Sequence, residues 1–91
     1  MPCRISKVEG GKRFEFALID NDSWDLRNSL EEFESWIREN DGKLNDKAPW
    51  IADIGFSTRQ DASGGGPIIS VELMRICVRN NVTIHLSEFG E

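Results

Sequence analysis

Apolar positions along this chain recur with two periods, and the switches between them mark the elements. Residues 3–8 and 12–19 alternate as strands do: Phe14, Phe16 and Leu18 interleave with Glu15, Ala17 and Ile19, which predicts one apolar face. Between the two runs stands Glu9-Gly10-Gly11-Lys12. Adjacent glycines accept the positive φ of a tight hairpin turn, so the pair of runs reads as a β-hairpin. Residues 20–28 are rich in turn and cap formers and read as a loop. The period then changes to that of a helix, with Leu30, Phe33, Trp36 and Ile37 on one face. Ser29-Leu30-Glu31-Glu32 has the form of a capping box and predicts that the helix starts at Ser29. Asn40-Asp41-Gly42 supplies the stop, with Gly42 suited to a left-handed position.

Beyond the loop ending at Pro49 the period returns to two. Trp50, Ala52, Ile54 and Phe56 face one way, Ile51, Asp53, Gly55 and Ser57 the other, as in a strand. Gly64-Gly65-Gly66-Pro67 closes a loop over residues 58–67. Ile68-Ile69 fits a short strand or the approach to a second helix, which Ser70 caps and which Leu73, Ile76 and Cys77 anchor. Val82, Ile84 and Leu86 define a last strand. The order is ββ-α-β-(β)-α-β, and each helix has one apolar stripe. The economical packing is an α+β two-layer sandwich: a mostly antiparallel sheet of four to five strands with both helices on one face. At 91 residues, the chain makes one domain spanning residues 1–91.

Charge alters this picture in one place. Residues 1–13 sum to +3, residues 14–46 carry ten acids against Arg27, Arg38 and Lys43, and the remainder sums to −1, so the net −5 belongs to one segment. An acidic chain without a basic face is a poor ligand for nucleic-acid phosphate and is expected not to bind it directly. It suits a protein partner with a basic surface, such as a toxin or the substrate channel of a nuclease. No apolar run approaches the length that spans a bilayer, and no signal peptide is visible, so no membrane is expected and the expected location is cytoplasmic. Cys3 and Cys77 then read as two reduced thiols.

Site chemistry is sparse. The chain has one histidine, no tyrosine and no nucleophile motif; His85 falls on the outward face of the last strand. Two isolated cysteines and one histidine do not make a zinc set, and Asp20-Asn21-Asp22 lacks the glycine and glutamate that a calcium loop needs. No cofactor, no metal and no catalysis are expected. The candidate partner-binding residues are the acids Asp20, Asp22, Asp25, Glu31, Glu32, Glu34 and Glu39, with Trp24 as an aromatic anchor. Trp24 has a second reading, as a staple folded under the first helix. Trp36 and Trp50 lie on apolar faces and read as core.

Several stretches together resemble the bacterial domain family DUF4279. These are Trp24-Asp25-Leu26, Leu30-Glu31-Glu32-Phe33, the run Gly65-Gly66-Pro67-Ile68-Ile69-Ser70-Val71-Glu72-Leu73-Met74, and Val82-Thr83-Ile84-His85-Leu86. The resemblance covers residues 24–87 and implies a non-catalytic binding protein associated with toxin immunity. The leading expectation is therefore an immunity-type inhibitor, monomeric or homodimeric, that uses its acidic segment. Two alternatives stand beside it. One is a phage-encoded, anti-CRISPR-type inhibitor that mimics nucleic-acid charge. The other is a small-ligand or oligomeric regulatory domain with the glycine loop as a lid.

Overall fold

The computed structural model describes residues 3–19, 24–44, 48–57 and 66–89. Four strands and two helices follow one another as β1 (Cys3–Glu9), β2 (Lys12–Ile19), α1 (Leu26–Glu39), β3 (Trp50–Ser57), α2 (Val71–Arg79) and β4 (Val82–Phe89). The strand order across the sheet is β2-β1-β3-β4. β1 pairs antiparallel with both β2 and β3, whereas β3 and β4 run parallel. Both helices lie on one face, giving the α+β sandwich expected from the periodicity. Ile68 and Ile69 lead into α2 without forming a strand, so among the described residues the sheet has four strands.

Local chemistry accounts for each boundary. Gly10 and Gly11 close the β1–β2 hairpin at φ of +59° and +77°, the left-handed pair that side chains resist. The apolar pattern of β2 resolves differently from a simple alternation. The β1–β2 register shifts between Ile5 and Ser6, where Phe16 is the extra residue of a bulge. Ala17 and Ile19 therefore pack against the core, and Leu18 turns to the other face opposite Arg4. Phe16 meets Trp50 edge-on at 5.0 Å between ring centroids, at the margin of the core.

The N-cap of α1 stands four residues earlier than the capping-box reading places it. Asp25 is the N-cap, its side chain accepting from the Arg27 N–H, and the added turn brings Leu26 against the core. Ser29 consequently sits inside the helix and is buried. α2 begins where expected, with the Ser70 hydroxyl accepting from the Leu73 N–H at 3.0 Å. Phe33, Ile37, Ile5, Ile54 and Leu73 are wholly buried between helices and sheet, and Trp50 joins them. Burying a side chain of this size contributes about 1.5–3 kcal/mol.

The two helix ends are joined by one buried side chain. Asn80, the C-cap of α2, is 3% exposed. Its Nδ2 donates to the Ile76 carbonyl at 2.8 Å and to Asp41 Oδ1 at 2.9 Å, while its Oδ1 accepts from the Gly42 N–H at 3.0 Å. Asp41 also takes the Arg79 guanidinium, and that pairing, with the Asn80 amide, lowers its carboxyl from an ordinary 3.8 to about 2. Asn81 follows at φ 57°, the left-handed residue that turns the chain from α2 into β4.

Asn80→Ala leaves the Gly42 N–H and the Asp41 carboxylate short of a buried partner and should destabilise the domain by on the order of 2–3 kcal/mol in chemical denaturation. The Asp41 contribution has a definite sign with pH. Its folded pKa lies below its unfolded one, so the stabilisation is complete above about pH 4 and is lost as pH falls through about 2. Asp41→Asn should flatten the acid limb of the stability curve over that window, read by urea melts at successive pH values.

Candidate functional site

The acidic segment is rebuilt by the helix that carries it. At 3.6 residues per turn, the exposed surface of α1 divides into two flanks either side of Leu30, Phe33 and Ile37. One flank carries Glu31 and Glu34 together with Arg27 and Arg38. Arg38 Nη2 pairs with Glu34 Oε2 at 2.7 Å, so this flank mixes both signs. It borders a hollow of about 300 Å³ shared with Leu30 and Ile68.

The other flank carries Asp25, Glu32 and Glu39. They stand seven residues apart, so the three carboxylates line up with about 10 Å of axial rise between neighbours. Neither arginine of α1 lies on this side. The contact of Trp36 with Phe16 turns the Glu32–Glu39 part of this flank toward β2. Trp36 lies at its base, with the Phe16 ring edge-on at 6.4 Å. Of the seven acids expected to form one surface, the helix thus aligns Asp25, Glu32 and Glu39 and sets Glu31 and Glu34 apart. Asp20 and Asp22 lie outside the described residues.

Trp24 precedes the N-cap of α1 and is 38% exposed. The staple reading requires an apolar residue one turn into the helix, and the position opposite is Ser29. Trp24 instead turns to the far end of the sheet. Its carbonyl accepts from the Ser57 N–H at 2.9 Å, and its ring meets Phe89 of β4 edge-on at 5.4 Å. It stands at the mouth of the α1 stripe in sequence and beside β3 and β4 in space.

A second polar surface was not singled out from the sequence. The sheet face away from the helices bears Arg4, Glu15, Asp53, His85 and Ser87 on neighbouring strands. Arg4 Nε and Glu15 Oε1 pair at 3.0 Å, and the Ser87 hydroxyl donates to Asp53 Oδ1 at 2.6 Å. A shallow hollow of about 140 Å³ lies among Arg4, Ser6, Arg13, Glu15 and Asp53. The signal was available, as polar residues at every second strand position. The neighbouring Ser, His and Asp suggest a catalytic triad only by composition. The single Ser87 proton points at the carboxylate, so the hydroxyl is not donated to His85, and a carboxylate is too weak a base to activate it. The arrangement ties β3 to β4 across the open face.

Both thiols are withdrawn from solvent. Burial pushes the Cys3 pKa up to about 12, aided by the charges of Asp53 and Glu32, and pushes Cys77 up to about 11. Among the described residues no group of His, Cys, Asp and Glu is placed to hold a metal ion. No helix among them is long and apolar enough to cross a membrane. Compared with known protein families, with curated proteins and with solved structures, the chain matches none.

Neither thiol should act as a nucleophile near neutral pH. A disulfide reagent at pH 8 should leave Cys3 and Cys77 unmodified in the native protein and titrate both at once in denaturant. Rapid native labelling of Cys3 would contradict its buried placement.

Proposed function

We propose that this domain acts by binding another protein, as an immunity-type inhibitor that neutralises a toxin or nuclease with a basic surface. The observation that carries the reading is the line of Asp25, Glu32 and Glu39 along one flank of α1, with Asp25 and Glu39 exposed and Glu32 half-buried between them. A carboxylate on a helix anchored by Phe33 and Ile37 keeps its position relative to its neighbours, so the stripe is ordered before any partner arrives. Charges of one sign at the rim of a contact accelerate encounter with a partner of opposite sign and repel nucleic-acid phosphate. Spacings of about 10 Å are comparable to the Debye length at physiological salt, so a partner must bring matched cations to each position to gain from all three.

The resemblance of residues 24–87 to an immunity-associated bacterial family implies a partner of the same class. Two aromatics beside the stripe, the half-buried Trp36 and the exposed Phe16, supply the apolar contact that charges alone do not give.

The immobilised chain should capture a basic protein from the lysate of its source at low ionic strength and release it as salt rises. Reversing Asp25, Glu32 and Glu39 to lysine should reduce the association rate by about tenfold or more, as loss of steering does. Reversing Glu31 and Glu34 should change it far less. Equal effects from the two sets, or none from the first, would remove the α1 stripe from the binding surface.

A further inference from the structure

The two edges of the sheet differ in a way the α1 surface does not explain. β2 is protected as edge strands usually are: it carries Lys12, Arg13 and Glu15, and a bulge interrupts its pairing. β4 has neither device. Its eight residues, Val-Thr-Ile-His-Leu-Ser-Glu-Phe, run in unbroken register against β3 and contain one carboxylate and no lysine, arginine or proline. Among the described residues its other side pairs with nothing.

The helix above that edge is apolar on its outer flank. Arg79 pairs with Asp41 at the end of α1, which fixes the side of α2 that faces α1. Met74 occupies the opposite flank, and Val71 and Val78 lie between it and Arg75 on the outer surface of α2; the three are 47%, 52% and 81% exposed. On β4 beneath, Leu86 is 49% exposed on the helix-side face. Three residues of α2 and one of β4 therefore make an apolar strip along this edge, free of carboxylates and bordered by Arg75, which stands one turn from both Val71 and Val78.

We infer that β4 and this flank of α2 are the contact between two copies of the chain, joined about a two-fold axis with the β4 strands antiparallel. A lone foreign strand would satisfy the β4 backbone and leave Val71, Met74 and Val78 uncovered above it. A second copy covers both, because a two-fold places the same strand against strand and the same helix flank against helix flank. Charge agrees: a chain of net −5 approaches itself most readily through a face free of carboxylates, and Glu32 and Glu39 stand beside Trp36 on the side of α1 that meets Phe16 of β2. Size agrees as well. A strand of eight residues is about 27 Å long, and against the 19 Å thickness of the molecule this gives a face of about 500 Å² per copy. The pair then buries about 1,000 Å², the lower bound of specific interfaces. The product is one eight-stranded sheet with β2 at each end.

Sedimentation equilibrium on the full chain tests this. The expected mass is twice 10.3 kDa at micromolar concentration, with dissociation on dilution. Val78→Glu, at a position so exposed that folding does not depend on it, should yield monomer at concentrations where the parent is dimeric. Leu86→Lys should do the same, with circular dichroism confirming that each variant is folded. Phe14→Lys on the opposite edge should leave the dimer intact. A parent chain monomeric at the highest attainable concentration overturns the inference and leaves a foreign strand as the cover for β4. A dimer that survives Val78→Glu, or that Phe14→Lys abolishes, overturns it too. None of these outcomes bears on the charge-reversal series in α1.

Discussion

Asn80 is the point on which the two helices and the sheet agree about their positions. Its amide closes the last turn of α2 through Ile76, reaches across to Asp41 and receives the Gly42 N–H, so one side chain holds both helix C-termini. A buried amide with every group satisfied stabilises one arrangement and penalises every neighbouring one, because a shift of an ångström orphans a donor or an acceptor. The next residue, Asn81, sends its carbonyl to the Trp50 N–H at 2.9 Å, which fixes where β3 starts relative to β4. The parallel register from Trp50↔Val82 onward follows from that bond. Apolar packing alone would let α1 and α2 slide along the sheet; this polar knot does not.

With the ends fixed, topology decides what each surface can be. β2 and β3 are both antiparallel to β1 and so parallel to each other, which makes β2-α1-β3 a crossover; β3-α2-β4 is another. Parallel crossovers share one hand, and both of these move across the sheet in the same direction. Two steps of one hand in one direction put both helices on the same face, and the other face stays open. The open face must then be polar, and the Arg4–Glu15 and Ser87–Asp53 contacts satisfy that need across neighbouring strands. The same topology sends β4 to an edge with α2 above it, and β2 to the other edge, where Phe16 meets Trp36 beside Glu32 and Glu39.

Much of this was legible in the chain. The two-residue and 3.6-residue periods placed the strands and helices, and Gly10-Gly11 marked the hairpin because only glycine meets that φ easily. Three things were not legible, for physical reasons. The Phe14, Phe16, Leu18 alternation concealed a bulge, since a bulge depends on the partner strand and leaves no mark in the composition of its own. Ser29 satisfied the capping-box pattern, yet Asp25 took the cap, because a start there adds a turn that buries Leu26. The acid cluster, continuous in sequence, was divided because a helix sorts residues by angle: Glu31 and Glu32 are adjacent in the chain and lie on opposite flanks. What carries the candidate site is the spacing of seven between Asp25, Glu32 and Glu39, a pattern in plain view that only the position of the buried stripe makes meaningful.

Placement, more than composition, connects the two surfaces. A small acidic chain that associates with itself has to keep its like charges away from the contact, and one that attracts a basic partner has to gather them elsewhere. Both requirements are met when the β4 edge carries few charges and Glu32 and Glu39 stand on the side of α1 that meets β2, at the other edge in the order β2-β1-β3-β4. A two-fold through β4 leaves Glu32 and Glu39 of each copy on the side of α1 that meets β2, turned away from the contact, so they stay open to a partner. The unprotected edge is then no defect of the strand. It carries the aggregation hazard of any bare edge only until it is paired with its own copy, and a closed two-fold contact removes that hazard while leaving both stripes accessible.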